Sequence, residues 1–250
     1  FQRFEKHHCN EMWQTDFKGD FLLGNGVRCY PLTILDDHSR FSIRIEPKDS
    51  ATGVKESFIA AFKEYGLPNS VLSDNGSQFA GAHRGLSTFE RFLMDLDICP
   101  IHGKPIHPQT QGKIERFHRS LKKEALGVTP ANLAEAKARL ENWRWVYNEL
   151  RPHEALKMKT PSSVYKPSTR EYYTPKPYIY DSGAKLIKVN NWGYLRFGPN
   201  RIFLSEAMAD THVEIRFDEN DTFSIIYRNY IIASVDAVEG KLINRHIRRL

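Results

Sequence analysis

The sequence predicts an α/β domain in which helices flank a β-sheet, followed by a small β-barrel. Residues 12–45 carry the alternating apolar and polar pattern of three successive strands. After them, helical and strand patterns alternate, which is typical of an α/β arrangement. In the last third of the chain, short strand patterns return without helices between them. We therefore expect a core at 1–167, a linker at 168–177 and a barrel domain at 178–250.

The first three strands are expected to form an antiparallel meander. The alternation predicts a strand over residues 12–23, and the following Asn25-Gly26 pair is a strong hairpin turn. A second strand then ends at Leu35, and residues 41–45 form the third. Polar residues 36–39 make the turn between them, so Asp36 and Asp37 are interpreted as structural turn residues.

Helices and short strands follow this meander. Apolar side chains three and four apart predict a helix over residues 50–65, which Gly66 and Pro68 end. A helix with apolar side chains within 86–96 comes next, and another follows the turn-rich lead-in Pro108-Gln109-Thr110-Gln111-Gly112. Short buried strands are expected at 71–73 and 99–101.

The last predicted helix of the core leads into the linker and the barrel. Thr129 is a suitable N-cap with Pro130 at the first helical position, and Pro152 ends the helix. Beyond the linker, turn signals such as Gly198-Pro199-Asn200 separate six short strands. The predicted strands are 184–189, 192–197, 201–204, 211–217, 222–227 and 230–235.

The charge distribution suggests an anionic partner. The net charge is +6, and residues 101–128 alone hold six Lys/Arg against two Glu. A basic stripe on one helix is a plausible footprint for phosphates. No apolar run approaches the roughly 18 residues that span a bilayer, so no membrane partner is expected.

The cysteines do not predict a disulfide scaffold or a zinc site. Cys9, Cys29 and Cys99 are an odd, sparse set without a pairing pattern, which suits a reducing cytosol. His7-His8-Cys9 lacks the second ligand cluster that a tetrahedral site needs. The chain opens without methionine, so we expect a fragment of a longer protein.

Three carboxylates are candidates for a metal site. Asp16 lies inside the first strand, Asp74 follows a buried strand directly, and Glu115 lies in the first turns of a basic helix. Converging carboxylates suit Mg²⁺, which prefers a few carboxylates plus water and phosphate. Spacing alone does not decide this. Asp74 can belong to an ordinary turn, and Glu115 can pair with Arg119 as a surface ion pair.

Four motifs around these acids resemble one family. WQTDFKG (13–19), LSDNGSQF (72–79), HPQTQGKIERFHRSLKKE (107–124) and YNELRPHEAL (147–156) together are similar to the DDE transposases of bacterial insertion sequences, relatives of retroviral integrases. The resemblance implies a ribonuclease-H-like core with a mixed sheet. It makes Asp16, Asp74 and Glu115 the catalytic, metal-binding acids, with two Mg²⁺ (or Mn²⁺) ions expected.

The same resemblance implies an activity and partners. The expected chemistry is cleavage at transposon ends, followed by attack of the freed 3′-hydroxyl on target DNA. The expected partners are double-stranded DNA and further copies of the chain assembled on it, in the cytoplasm and nucleoid of a bacterial host. Helix-turn-helix segments expected before such a core are not in this sequence. The barrel, a candidate surface for DNA or protein contact, is similar to barrels appended to such cores.

One departure from the family concerns length. Forty residues separate Asp74 from Glu115, where members often have about 35. A loop within 81–89 can absorb the difference, because lengthening a surface loop costs little. The departure therefore affects local geometry and not the identity of the acids.

The neighbours of the acids are expected to contact DNA or to support the site structurally. Arg119 and Lys122 share a helix face with Glu115, which favours them as phosphate contacts. For each polar neighbour, the alternative is a solvated surface side chain. The candidate DNA contacts are Lys113, Arg116, Arg119, Lys122, Lys123, Gln78 and Gln111, and the candidate structural residues near the site are Asn75, Gly76, Arg151 and His153.

Three rival functions predict different chemistry or different residues at the site. A ribonuclease-H-like nuclease would cut DNA without joining strands. A defunct DNA-binding or assembly protein would have lost one of the acids, yet all three are present. A serine or tyrosine recombinase would form a covalent adduct with DNA, which the metal mechanism does not.

Overall fold

The chain folds into two structural units. A computed structural model describes residues 6–81, 85–103, 112–218 and 221–250. The first unit comprises Phe1–Asp74 and His102–Tyr172, and the second comprises Asn75–Ile101 and Tyr173–Leu250. Residues 75–101, assigned to the core from the sequence, thus group with the C-terminal part. The predicted domain boundaries at 167 and 178 stay a prediction.

The first unit is built on a mixed sheet. Its strands are β1 (Trp13–Phe17), β2 (Phe21–Leu22), β3 (Arg28–Asp36), β4 (Ser42–Lys48) and β5 (Ser70–Ser73). The central strand β1 runs antiparallel to β3 and parallel to β5, and β2 and β4 both run antiparallel to β3. The predicted meander and the mixed sheet are therefore present.

The first predicted strand is divided in two. Gly19 adopts a left-handed backbone with φ of 89°, so pairing stops after β1 and resumes at β2. The Asn25-Gly26 turn is confirmed: Gly26 has φ of 79°, and its amide donates to the Leu23 carbonyl at 2.9 Å. The prediction of one continuous strand over residues 12–23 is therefore wrong at the interruption between β1 and β2.

Six further elements follow β4 along the chain before residue 165. These are α1 (Val54–Tyr65), α2 (Thr88–Asp95), β6 (Cys99–His102), α3 (Gly112–Glu124), α4 (Leu133–Trp145) and α5 (Pro161–Val164). Gly66 ends α1 with a positive φ of 76°, as the sequence predicts. Ser87 caps α2 in a capping box with Glu90.

The predicted start of α4 is wrong by three residues. Asn132, and not Thr129, is the N-cap, and its side chain accepts the Glu135 amide at 3.0 Å. The carbonyls of Pro130 and Ala131 are engaged elsewhere, because they accept the Gly24 and Asn25 amides of the β2–β3 hairpin at 2.9 Å. The chain therefore runs along the hairpin before it turns into a helix. At its other end, α4 continues into a π-helical turn, Val146–Leu150.

An apolar cluster fixes α3 and α4 on the sheet. Phe117 and Leu121 of α3 lie against Leu140, Trp143 and Tyr147, together with strand residues Leu35 and Ile45. The Phe117 ring meets Trp143 and Tyr147 edge-on, with centroids 5.3 and 4.9 Å apart. Each of these large buried side chains contributes about 1.5–3 kcal/mol. This packing fixes the direction of α3, which carries Glu115.

The second unit contains the remaining strands and α2. They are β7 (Lys185–Lys188), β8 (Tyr194–Phe197), β9 (Asn200–Phe203), β10 (His212–Phe217), β11 (Thr222–Tyr227), β12 (Tyr230–Asp236), β13 (Lys241–Asn244) and β14 (Arg248–Arg249). One sheet has the order β13-β12-β11-β10-β7 with β14 on β12, and β8 and β9 form a separate hairpin. No pairing among the described residues joins β7 to β13, so the predicted barrel is not confirmed.

Residues 75–101 join the second unit through specific contacts. Met94 of α2 lies in the same apolar cluster as Phe223 and Tyr230. The Tyr227 hydroxyl donates to Asp95 at 2.6 Å. The segment of chain between the second and third candidate acids is thus held by C-terminal strands.

The start of the predicted linker is ordered within the first unit. The Leu67 amide donates to the Arg170 carbonyl at 2.7 Å, and the Ser168 amide donates to the Tyr65 carbonyl at 2.8 Å. Residues 168–170 are therefore hydrogen-bonded to the C-terminal end of α1 and do not form a free linker.

We expect Asn148→Ala to destabilise the first unit. The buried Asn148 side chain accepts the Ser42 amide at 2.8 Å and donates to the Ser42 carbonyl at 3.0 Å. Arg144 also donates to this carbonyl, at 3.1 Å, so truncation removes the partner of the Ser42 amide alone. The cost should be about 1–3 kcal/mol, measured as a lower urea midpoint. Asn142→Ala, on the exposed side of α4, should change stability by less than about 0.5 kcal/mol. Equal urea midpoints for the two variants would show that Asn148 does not stabilise the first unit.

Candidate active site

Asp16 and Asp74 are brought together by the pairing of two parallel strands. The register of β1 on β5 places Gln14 opposite Leu72. Asp16 and Asp74 each lie two residues further along, and residues two apart share a face of a sheet. The register therefore brings Asp16 and Asp74 to neighbouring strand ends, with Asp74 one residue beyond β5.

Helix α3 adds Glu115 to this edge of the sheet. Its buried face consists of Ile114, Phe117 and Leu121, whereas Glu115 is exposed. His118, one turn after Glu115, lies with Nδ1 3.8 Å from the Asp16 carboxylate. Residues three apart share a helix face, so Glu115 lies on the side of α3 that faces Asp16.

The electrostatics of Asp16 show that the three acids converge. Burial raises the pKa of this carboxyl group, and the Asp74 and Glu115 carboxylates raise it further, to about 7 from an ordinary value of 3.8. Coulomb repulsion of this kind requires neighbouring charges at short range. The structure thus gathers residues that lie 58 and 41 positions apart in the chain.

His118 lies beside Asp16 but does not neutralise it. Burial lowers the pKa of His118 to about 4, and the nearby Lys18 charge lowers it as well, so the ring is neutral at pH 7. Thr33 Oγ1 donates to the Asp16 carbonyl at 3.0 Å and lies 2.7 Å from His118 Nε2. Because the hydroxyl proton is already used, Nε2 carries the hydrogen and donates to Thr33. This tautomer leaves the Nδ1 lone pair facing Asp16.

The alternative of a surface ion pair for Glu115 is not realised. Arg119, four residues later, forms no ion pair with Glu115, and none of the other described cations does either. Glu115 therefore has no cationic partner among the described residues on the side of α3 that faces Asp16.

The three acids fit a divalent cation by their chemistry. Carboxylate oxygens are the ligands that Mg²⁺ prefers, and a cation between them would remove the repulsion that raises the Asp16 pKa. Across the described ranges, no group of three His, Cys, Asp or Glu already has the spacing of a metal site. Asp16, Asp74 and Glu115 would therefore have to draw closer around the ion.

Lys113 is placed differently from the other candidate DNA contacts. Its ammonium group donates to the Asp37 carboxylate at 2.7 Å and to the Asp37 carbonyl at 3.2 Å. Asp37 is fully buried and also accepts the Gln14 side-chain amide at 2.6 Å. The pair ties the first turn of α3 to the end of β3. A DNA contact by Lys113 stays a prediction.

Four candidate DNA contacts are exposed on α3. Arg116, Arg119, Lys122 and Lys123 all lie on its solvent side, and none of them forms an ion pair with a described residue. Unpaired cations on one helix are suited to phosphates, but their roles stay predictions. Gln111 and His107 lie outside the described residues.

Lys18 is a functional candidate that sequence reasoning missed. It follows β1 two residues after Asp16, and burial together with the Lys122 charge lowers its pKa from 10.5. Two ammonium groups that repel each other next to a carboxylate cluster are suited to a phosphate. The signal was present in WQTDFKG, where the lysine occupies the exit of the strand that carries the first acid.

The remaining predicted residues are divided between the two units. Asn75, Gly76 and Gln78 belong to the second unit, where the Gly76 carbonyl accepts the Phe79 and Ala80 amides at 2.9 Å. A DNA contact by Gln78 stays a prediction. Arg151 forms an ion pair with Glu124 at the end of α3 and lies over the Trp143 ring. His153 contacts the Tyr147 ring, and burial lowers its pKa to about 4. Asp36 caps its own turn by accepting the Ser39 amide at 2.8 Å, which confirms the structural interpretation.

Within residues 6–81, 85–103, 112–218 and 221–250, no helix is long and apolar enough to cross a membrane.

Comparisons with known proteins agree on one family. Two family models, both described as "Integrase core domain", match residues 6–108 and 96–161. An insertion element IS407 uncharacterized 31.7 kDa protein of Burkholderia multivorans is 32% identical over 157 residues, which cover 61% of this chain and 54% of that protein. An insertion element IS476 uncharacterized 39.2 kDa protein of Xanthomonas euvesicatoria is 30% identical over 151 residues, covering 58% and 41%. The chain spans about half the length of the curated relatives it matches.

A solved structure supports the fold. A chain of the simian T-cell lymphotropic virus intasome in complex with PP2A regulatory subunit B56 gamma aligns with a TM-score of 0.53 at 17% identity, over 91% of this chain and 79% of that one. At this identity the likeness concerns the fold alone. The first unit thus has a ribonuclease-H-like α/β core with a mixed sheet.

We expect Asp16→Asn to stabilise the metal-free protein above neutral pH. Because the folded state raises the Asp16 pKa from 3.8 to about 7, it binds this proton more tightly than the unfolded state does. Wild-type stability should therefore fall as pH rises from about 4 to about 7, whereas asparagine does not ionise. In EDTA, the gain of Asp16→Asn over wild type should grow across this window, on the order of 2–4 kcal/mol by pH 8.

The matched control for this titration is Asp49→Asn, an exposed carboxylate in the same unit. Its difference from wild type in urea unfolding should not change between pH 4 and 8. A difference for Asp16→Asn that is equally flat would show that the three acids do not repel one another.

Proposed function

Since this chain belongs to the integrase core domain family, together with insertion-sequence DDE transposases, we propose that it catalyses DNA cleavage and strand transfer in transposition. The observation that carries the proposal is the raised pKa of Asp16 beside Asp74 and Glu115. Three mutually repelling carboxylates at the edge of a mixed sheet, beside exposed cations on α3, suit a metal-dependent reaction of a phosphodiester.

The proposed reaction has two phosphoryl transfers. In the first, water attacks the phosphorus at the transposon end, the bond to the 3′-oxygen breaks, and a 3′-hydroxyl and a 5′-phosphate result. In the second, that 3′-hydroxyl attacks a target phosphodiester and displaces the target 3′-oxygen. The first step is a hydrolysis and the second exchanges one phosphodiester for another, so neither needs an external energy source. Neither step requires a covalent protein–DNA bond.

Asp16, Asp74 and Glu115 would hold two Mg²⁺ (or Mn²⁺) ions, which supply the charge that activates the attacking oxygen and stabilises the leaving one. Thr33 holds the backbone of Asp16 through its carbonyl, and His118 contacts the same Thr33 hydroxyl. Arg116, Arg119, Lys122 and Lys123 are exposed along α3, where they are able to bind the DNA backbone. Lys18 adds a cation at the exit of β1, next to Asp16.

The proposed partners are double-stranded DNA, as transposon ends and target, and further copies of this chain assembled on it. Two transposon ends have to meet in one reaction, which favours an oligomer on DNA. The relatives in insertion elements of Burkholderia and Xanthomonas support a bacterial cytoplasm with nucleoid DNA as the setting.

We expect Asp74→Asn to abolish both steps on DNA while it leaves the fold intact. Removing one carboxylate weakens the hold on the ions, and a loss of several kcal/mol of transition-state stabilisation is a rate loss of at least about a thousandfold. Cleavage and joining are measured separately, on an uncut end and on a pre-cleaved end. Asp49→Asn should retain activity, since it removes the same charge from an exposed position.

The two substrates also separate the rival functions. Full activity of Asp74→Asn would refute the role of the acids. Cutting by the wild type without joining of the pre-cleaved end would identify a nuclease, and neither activity in any substrate would favour a DNA-binding protein. A covalent protein–DNA adduct would replace the metal mechanism with that of a recombinase.

A second prediction concerns ion binding independently of catalysis. Mg²⁺ or Mn²⁺ at about 100 times its Kd should stabilise the wild type by about 2.7 kcal/mol, seen as a melting temperature several degrees higher. Asp16→Asn and Glu115→Gln should each lose most of this shift, whereas Asp49→Asn should keep it. An unchanged shift in both site variants would place the ion elsewhere.

A further inference from the structure

The β8–β9 hairpin of the second unit has one buried and one outward face. Leu195 and Ile202 point into the apolar cluster, with exposed fractions of 1% and 3%. The register pairs Tyr194 with Phe203 and Arg196 with Arg201, so these four side chains share the other face. With Trp192 before β8 and Arg245 against Phe203, they form what we call the arginine–aromatic face.

The positive charges of this face are unusually placed. Arg196 and Arg201 are direct cross-strand neighbours, an arrangement in which like charges repel. Arg245 adds a third guanidinium, which lies 5.8 Å from the Phe203 ring and donates to the Phe203 carbonyl at 2.9 Å. None of the three forms an ion pair with a described carboxylate. An anionic ligand would relieve this repulsion.

Trp192 is exposed but firmly held. Its exposed fraction is 68%, yet Asn190 Oδ1 accepts the amides of Trp192 and Tyr194 at 3.0 and 2.9 Å. Gly193 between them has φ of 80°, and a Cβ there would lie 2.3 Å from the Ser205 carbonyl oxygen. The turn therefore accepts only glycine, and its backbone places the exposed indole beside Tyr194.

The aromatic rings and cations line two adjoining open clefts. One, of about 440 Å³, is lined by Trp192, Tyr194 and Arg201. The other, of about 420 Å³, shares Tyr194 and Arg201 and adds Arg196 and Lys188. The Arg201 guanidinium lies over the Tyr194 ring, 5.0 Å from its centroid, and so covers one face of that ring. The Trp192 ring is therefore the aromatic surface available for stacking. These volumes are in the range of small-ligand sites.

We propose that the arginine–aromatic face binds unpaired nucleotides of a nucleic-acid strand, with a base stacked on Trp192 and phosphates on Arg196 and Arg201. Guanidinium groups bind phosphates, and aromatic side chains beside a basic groove stack bases without regard to sequence. A single strand fits better than a duplex, because bases in a duplex are already stacked on one another. An acidic peptide would satisfy the arginines but gains nothing comparable from the indole.

The charge of the surrounding chain supports this assignment. From Pro175 onward the sequence has eleven Lys/Arg and nine Asp/Glu, so the C-terminal part is nearly balanced. The three arginines of the face are thus concentrated locally, and of the cleft-lining cations only Lys188 is paired with a described acid, Asp210, at 3.1 Å. The arginine–aromatic face contains none of the three carboxylates. Binding there would be a function separate from the proposed transposition chemistry.

The test uses quenching of Trp192 fluorescence in the whole chain. Trp145→Phe serves as background, since Trp145 is the other exposed tryptophan while Trp13 and Trp143 are buried. The protein, in EDTA, is titrated with a short oligo-dT, an abasic oligonucleotide of equal length, a duplex and a poly-glutamate peptide. We expect strong quenching with oligo-dT and little with the abasic strand, which has the same charge but no bases.

Two double variants then separate specific contacts from general charge. Arg196→Gln with Arg201→Gln should weaken oligo-dT binding at least about tenfold and lower the slope of log affinity against log salt by about 1.4. Arg216→Gln with Lys241→Gln removes two cations that are already paired with Glu214 and Glu239, and should change affinity less than about twofold. The first variant should melt no lower than the parent, because a like-charge contact is removed.

A labelled oligo-dT gives an independent measurement by anisotropy, in which Trp192→Ala should bind about tenfold more weakly. Equal quenching by the abasic strand, equal or tighter binding of the duplex, or equal effects of the two double variants would overturn the proposal. Stronger quenching by poly-glutamate would identify an acidic protein as the partner instead. These outcomes do not depend on cleavage or joining, so they are independent of the proposed catalytic activity.

Discussion

The parallel pairing of β1 with β5 places two carboxylates on neighbouring strand ends, and the repulsion between them constrains everything around the site. The strand register brings Asp16 and Asp74 to neighbouring strand ends. Glu115 adds a third negative charge from α3, and the Asp16 pKa rises to about 7. A protein tolerates such a concentration only where the surrounding packing is rigid enough to hold it.

That rigidity comes from the elements behind the acids. Phe117 and Trp143 fix α3 on the sheet, while Arg151 links the end of α3 to the aromatic rings of α4. The neutral His118 ring fills the space between Asp16 and Thr33 without supplying a counter-charge. The structure therefore keeps its acids repelling one another, which is the electrostatic condition for binding a cation strongly.

Much of this was predictable from the sequence because the signals were local. The alternation around Trp13, the Asn25-Gly26 turn and the stop at Gly66 each specify a conformation within a few residues. The family resemblance of the four motifs is confirmed by the family matches to residues 6–161. The proposal that the three acids are metal ligands rests on that resemblance and on the effect of Asp74 and Glu115 on Asp16.

The parts that were not predictable depend on distant contacts. Thr129 has the side chain of an ordinary N-cap. The carbonyls of the two residues after it, however, accept hydrogen bonds from Gly24 and Asn25, and the helix begins later. Asp37 and Lys113 are 76 positions apart, so no local sequence pattern predicts their ion pair. The grouping of residues 75–101 with C-terminal strands likewise depends on the hydrogen bond between Tyr227 and Asp95, which are far apart in the chain.

The Asp37–Lys113 pair has a consequence for how this core tolerates change in length. Lys113 is the second residue of α3 and is anchored to a fully buried carboxylate at the end of β3. The helix is thus registered on the sheet from its first turn, independently of the chain that leads into it. Insertions between the second and third acids, such as the roughly five residues by which this chain exceeds the usual spacing of about 35, leave Glu115 in place.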